Sequence, residues 1–143
     1  MELPIELYEQ EVRRGRIIHS YNFENIDHGK FFVIIGITQD SIVGFFFINS
    51  NINKYIQDKP DMMAVQYPLL KRDYAFLKHD SFICATEIEE IKKSDIIDGI
   101  KNHSVVFVDD LRQEHLDDVL TMVRESKLFD KKEKECTFTS KKR

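Results

Sequence analysis

Two short polar segments of the chain carry side chains that could act on a phosphate group. The first, Asp27-His28-Gly29-Lys30, places an imidazole and a fixed cation close together, directly before an apolar run. Histidine can move a proton near neutral pH, and lysine can stabilise negative charge that develops on phosphorus. His28 and Lys30 are therefore candidate catalytic residues, and an ordinary solvated turn is the alternative.

The second segment is rich in asparagine and follows another apolar run. Its candidate ligands are Asn49, Ser50, Asn51 and Asn53. Amide and hydroxyl groups can hydrogen-bond phosphates, sugars or base edges. Capping of the loop by its own side chains is the simpler explanation for such a composition.

The two apolar runs predict how these segments meet. Phe31–Ile37 and Ile42–Ile48 are separated by four turn-forming residues, which predicts a β-hairpin. In an antiparallel pair, the start of one strand and the end of the other lie at the same edge. Lys30 is therefore predicted to approach Asn49 and Ser50. Both runs are almost continuously apolar, so both faces of these strands should be covered.

Other familiar chemical motifs are missing from the sequence. It has no glycine-rich phosphate loop, His-Glu-x-x-His, Cys-x-x-Cys or Gly-x-Ser-x-Gly pattern, which disfavours P-loop hydrolysis and structural zinc. His79, Asp80 and Ser81 should not form a catalytic triad, because neighbours in an extended strand point to opposite faces. His19 lies on an apolar strand face and is predicted to be a core or rim histidine.

A metal-dependent hydrolase is the weakest alternative that the sequence leaves open. It would use Asp27, His28, His79 and Asp80, and it would require distant loops to meet. We expect no metal and no cofactor.

The hydrophobic pattern predicts a single α+β domain over residues 1–130, built around a strongly bent antiparallel sheet. A short N-terminal helix is expected over 4–14, the strands over 15–108 and a C-terminal helix over 110–127. Within the strand region, residues 82–85 and 89–92 read as two short strands separated by a kink. Ser94 is predicted to cap a short helix, and Asp110 with Gln113 to form a capping box for the C-terminal helix.

Composition places the chain among folded globular proteins. It has 143 residues, 42% hydrophobic and 32% charged, with a net charge of −4. Residues 131–143 contain six Lys/Arg and two Asp/Glu, a net +4 that leaves −8 on the rest of the chain. We expect this basic tail to be mobile, and any nucleic-acid site on the body to be a local one.

The sequence also indicates a cytoplasmic protein. The longest apolar runs are too short to span a membrane, and the N-terminus lacks the features of a secretory signal. Cys84 and Cys136 are far apart in the chain, which favours reduced thiols over a disulfide.

The element order and several short motifs resemble the MazF/PemK family of bacterial toxin–antitoxin ribonucleases. The motifs that carry the resemblance are Gly15–Phe23 (the family's Gly-x-Ile strand), His28–Ile35 (Arg-Pro-x-x-Val-Ile), Ile48–Ser50 (Ile-Thr-Ser), Ser81–Ile96 (the Ser-Val to Lys-Ser-x-Ile/Leu block) and the closing helix 111–126. Three positions depart from the family: Lys30 replaces its Arg, Phe31 its Pro and Asn49 its Thr, whereas Ser50 is retained.

The resemblance implies an SH3-like small barrel with appended helices, and metal-independent cleavage of single-stranded RNA. Lys30, His28 and Ser50 would then be catalytic, and Asn49, Asn51 and Asn53 would bind RNA. A homodimer and a cognate antitoxin protein are the implied partners, with a stable monomer as the alternative assembly. The substitutions of Arg and Thr leave open a catalytically degenerate barrel that binds protein or nucleic acid.

Overall fold

A computed structural model describes residues 10, 12–21, 29–38, 40–52 and 54–130. The six strands are β1 (Arg16–Ser20), β2 (Lys30–Ile37), β3 (Ile42–Asn49), β4 (Gln66–Leu69), β5 (Ser81–Lys92) and β6 (Val105–Asp110). The helices are α1 (Lys54–Gln57), α2 (Pro60–Met63), α3 (Lys93–Lys101) and α4 (Gln113–Glu125), and a 3-10 turn occupies Lys71–Asp73.

The strands form one antiparallel sheet in the order β4-β5-β3-β2-β1-β6. The predicted β2–β3 hairpin is confirmed, with Phe31 opposite Ile48 and Phe32 opposite Phe47. β4 and β6 form the two ends of the sheet. Within the described ranges no pairing joins these ends, so the sheet is open and the fold is α+β.

Both faces of the central strands are buried, as their continuous apolar sequences predict. On one face, alternate residues of β2 and β3 pack against α4. This cluster includes Val33, Ile35, Phe46, Ile48, Leu116, Val119, Leu120 and Val123. On the other face, the intervening residues pack against α3, in a cluster that includes Phe32, Ile34, Val43, Phe45, Ile96 and Ile97. Each such side chain contributes about 1.5–3 kcal/mol when fully buried.

The prediction around β5 is confirmed in one respect, the kink, and wrong in two others. β5 is one continuous strand of 12 residues, where the sequence suggested two pieces with a kink. The predicted kink nevertheless lies within β5, because the two steps from Phe45 to Phe47 in β3 correspond to the five steps from Glu89 to Cys84 in β5. Ser94 does not cap α3, since that helix begins at Lys93 and has no side-chain hydrogen bond at its cap.

The capping box predicted at Asp110 is also wrong. Asp110 ends β6, and its carboxylate accepts hydrogen bonds from Arg16 at 2.8 Å and Arg13 at 3.1 Å. Because these arginines occupy the carboxylate, α4 begins only at Gln113 and has no side-chain cap.

Of the two ends of the chain, the first is described only in part and the last is not described. Most of the helix expected over 4–14, and the whole tail 131–143, lie outside the described residues. Across the part of the chain that is described, no helix is long and apolar enough to cross a bilayer.

Candidate functional site

An open cleft of about 690 Å³ lies at one end of the sheet. Here β1 and β3 end while β2 and β5 begin, because Ser20 is opposite Lys30 and Asn49 is opposite Phe82. The residues that line this cleft are His19, Gly29, Lys30, Phe31, Ile48, Asn49, Ser50, Asn51, Ile56, Gln66, Phe76, Leu77, Lys78, His79, Ser81 and Cys84. The antiparallel pairing thus gathers residues from five strands, β1 to β5, at one end of the sheet.

Lys30 and Asn49 meet in this cleft, as the hairpin predicts. The Lys30 ammonium donates a hydrogen bond to Asn49 Oδ1, and Lys30 Nζ lies 5.2 Å from the centroid of the Phe47 ring. Burial lowers the pKa of Lys30, and the neighbouring thiol of Cys84 partly offsets this effect. The cation is therefore partly desolvated and held in place beside the open volume.

The remaining predicted site residues divide into two groups. Ser50 and Asn51 line the cleft beside Asn49. His28 and Asn53 lie outside the described residues. The structure therefore places Lys30, Asn49, Ser50 and Asn51 together.

His19 is half-buried and lines the cleft from β1. Its ring lies 4.6 Å from the ring of Tyr21 and 4.6 Å from that of Phe31, measured between centroids. Gly29 backs the same ring so closely that an added Cβ would lie 2.7 Å from His19 Cε1. His19 is thus a rim histidine, as the strand pattern suggests, but it also faces the candidate site.

The loop between β4 and β5 forms the opposite wall, which the sequence did not identify. It contributes Phe76, Lys78 and the exposed His79. The rings of Phe76 and Phe31 are 4.9 Å apart between centroids, so the loop closes over the start of β2. This contact joins residues 45 positions apart in the chain, and no local motif indicates it.

The same loop is anchored to the start of α4 by Tyr74, which is almost completely buried. The Tyr74 hydroxyl accepts a hydrogen bond from the backbone N–H of Arg112 at 3.0 Å and lies 2.6 Å from His115 Nδ1. An ion pair of 3.6 Å between Arg112 and Asp73 adds a second link. The wall of the cleft therefore depends on a helix distant in sequence.

Gln66 and Cys84 complete the floor of the cleft from β4 and β5. Gln66 Nε2 donates to Cys84 Sγ at 3.4 Å, and that sulfur lies 3.4 Å from the hydroxyl of Thr86. Cys84 is a free thiol. No spacing in the sequence singled out these two residues.

The His79-Asp80-Ser81 segment makes no catalytic relay. Asp80 Oδ1 accepts the backbone N–H of Lys71 at 2.8 Å, and Ser81 Oγ donates to the carbonyl of His79 at 2.9 Å. In the described ranges no three His, Cys, Asp or Glu side chains are grouped as metal ligands. Asp27 and His28, the other members of the metal-site alternative, are outside those ranges.

Comparison with known proteins found no protein-family model and no curated protein that matches this chain.

Proposed function

We propose that the chain is a MazF/PemK-like toxin that cleaves single-stranded RNA without a metal ion. The observation that carries this proposal is the convergence of Lys30 with Asn49 and Ser50 in a cleft of suitable size. The charge, the aromatic surface and the hydrogen-bonding groups of the cleft support it independently.

The charge of the cleft favours an anionic ligand. Lys30, Lys78, His19 and His79 line it, and its described lining contains no carboxylate. The chain as a whole carries −4. A cationic cleft in an acidic protein concentrates polyanion binding at one place, because phosphate affinity depends on local lysines and arginines.

The other lining groups suit unpaired nucleotides. Phe31 and Phe76 give the cleft half-buried aromatic rings, on which bases can stack. Asn49, Asn51 and Gln66 add amides that can pair with base edges. Base edges and base faces are both accessible only in single strands, so single-stranded RNA fits this lining better than a duplex.

The chemistry needs a cation for the extra negative charge on phosphorus and groups that move protons. Lys30 stabilises the phosphorane, while Asn49 Oδ1 orients its ammonium. Ser50 hydrogen-bonds a phosphate oxygen, and the asparagines position the flanking nucleotides. His28 is the candidate proton carrier that the sequence suggests, but it lies outside the described residues.

The fold is compatible with a variant of the SH3-like small barrel, in which a long β5 pairs with both β3 and β4. We propose that the protein acts in the cytoplasm as a homodimer, with a cognate antitoxin protein as its inhibitor. The catalytically degenerate binding module remains the competing function, and the cleavage assay distinguishes the two.

The test is cleavage of a labelled single-stranded RNA pool by the purified chain in the presence of a metal chelator. We expect products that end in 2′,3′-cyclic phosphate, and no cleavage of DNA of the same sequence, which lacks the attacking 2′-OH. Lys30→Met should reduce kcat/KM by about 10- to 100-fold, since a charge-assisted phosphate contact contributes about 1.5–3 kcal/mol.

Lys92→Met is the matched control. Lys92 is exposed at the far end of the same sheet, opposite Ile42, so its loss should leave cleavage unchanged. RNA that stays intact over a range of enzyme concentrations would contradict the nuclease. RNA binding without cleavage would favour the binding module.

A further inference from the structure

We infer that His19 and His79, in place of His28, are the two proton-transferring residues of this cleft and that they act from opposite sides of a bound RNA phosphate. The inference rests on the proposed function and assigns the acid and the base of its reaction. The sequence resemblance does not supply this pair.

The sheet order places the backbone segments that carry the two histidines on either side of β2 and β3. His19 lies near the end of β1, next to β2, and His79 lies two residues before β5, next to β3. The adjoining ends of β2 and β3, which carry Lys30 and Asn49, lie between them. In-line attack on phosphorus places the attacking and leaving oxygens on opposite sides, so the base and acid must also be separated in this way.

The step is a transphosphorylation that needs no added reactant. A neutral imidazole takes the 2′-OH proton as the 2′ oxygen forms a bond to phosphorus. The bond from phosphorus to the 5′ oxygen breaks, and the second imidazole, in its protonated form, gives that oxygen a proton. The products are a 2′,3′-cyclic phosphate and a 5′-hydroxyl, and the proton balance is zero.

Other titratable groups surround the pair and must be distinguished from it. Lys30, Lys78 and Cys84 share the cleft, Tyr21 packs on the His19 ring and Asp80 follows His79. Imidazole is the only one of these side chains that ordinarily changes charge between about pH 5 and 8. A bell-shaped profile centred in that interval is therefore the signature of two histidines with opposite protonation.

The experiment measures kcat/KM against pH for cleavage of a defined oligoribonucleotide by the full chain. Wild-type protein should give a bell-shaped profile. His19→Gln and His79→Gln should each lower kcat/KM by about 100-fold or more and remove one limb of the bell. The lost limb identifies the base or the acid. Both variants should still bind the 2′-O-methyl form of the same RNA within a few-fold of wild type.

His103→Asn is the control, because His103 is exposed in the turn after α3 and has a φ of 68°, which asparagine tolerates. It should keep the wild-type profile. Since His19 is half-buried, its variant is accepted only if its thermal unfolding resembles wild type; the exposed His79 supplies a test that does not depend on folding.

The outcomes separate this inference from the proposed function. A bell retained in either histidine variant overturns the pair while the nuclease stands. Loss of a limb in Cys84→Ser, with both limbs intact in the histidine variants, assigns that proton to the thiol and also overturns it. Absence of cleavage by wild-type protein overturns both proposals.

Discussion

Gly29 is the residue on which the shape of the cleft depends most directly. Its φ of 75° lies in the left-handed region, and an added Cβ would meet His19 Cε1 at 2.7 Å and the carbonyl oxygen of Ser20 at 3.0 Å. Gly29→Ala should therefore lower the free energy of unfolding by about 1–2 kcal/mol from backbone strain alone. It should also displace the His19 ring and lower kcat/KM for RNA cleavage, and the two effects are measured by chemical denaturation and by the cleavage assay.

Gly44→Ala is the matched control for this prediction. An added Cβ at Gly44 would meet Ile88 Cγ2 at 3.1 Å, towards the opposite end of the β2–β3 hairpin. It should cost stability through crowding but leave kcat/KM for RNA cleavage unchanged. Unchanged stability and unchanged kcat/KM in Gly29→Ala would contradict the role given to this glycine.

The sequence predicted the approach of Lys30 to Asn49 because hairpin register is a local property. A short turn between two apolar runs determines which strand ends meet. His79 and Phe76 could not be assigned in the same way. They lie in an irregular loop, and their position depends on contacts with strands and a helix that are distant in the chain.

At the scale of elements, one buried hydroxyl group, that of Tyr74, is a principal anchor of the loop between β4 and β5. Tyr74→Phe removes the acceptor for Arg112 N–H and the hydrogen-bond partner of His115. Leaving buried polar groups unpaired costs about 1–3 kcal/mol, so the variant should unfold at lower denaturant concentration. Because this loop carries Phe76 and His79, RNA affinity should fall as well.

Tyr67→Phe provides the comparison, because Tyr67 in β4 also contacts α4. The Tyr67 hydroxyl donates to Asp118 in α4 at 2.7 Å, and burial together with this carboxylate raises the pKa of Tyr67. Its loss should reduce stability without moving the cleft wall, so RNA affinity should be retained. Equal affinity losses in both variants would show that general loosening of α4, and not the Tyr74 anchor, governs the cleft.

The elements themselves were predictable to different degrees. β2, β3, β6 and α4 follow from apolar runs and helical spacing, which depend on short stretches of sequence. The start of α4 could not be predicted from the local sequence, because Asp110 binds Arg13 and Arg16 from the other end of the chain. A capping motif and an ion pair use the same carboxylate, and only the tertiary structure decides between them.

At the scale of the whole molecule, the distribution of charge matters more for RNA binding than the net charge does. The chain carries −4, yet the described cleft is lined by cationic and neutral groups. Composition alone indicated that a nucleic-acid site must be local, and the sheet edge provides such a location. The size and lining of the cleft were not predictable, since one of its walls comes from the β4–β5 loop.

A local site makes a quantitative prediction for the salt dependence of RNA binding. For single strands, the logarithm of the binding constant falls with the logarithm of salt concentration by about 0.7 for each phosphate neutralised. Lys30 and Lys78 are the lysines of the cleft, so wild-type protein should give a slope of about −1.4 near pH 7.5. Lys30→Met should halve that slope, whereas Lys92→Met should leave it unchanged. A slope steeper than about −3 would require four or more cations and would place most of the RNA contact outside this cleft. A slope near zero would show that its lysines do not contact phosphate at all.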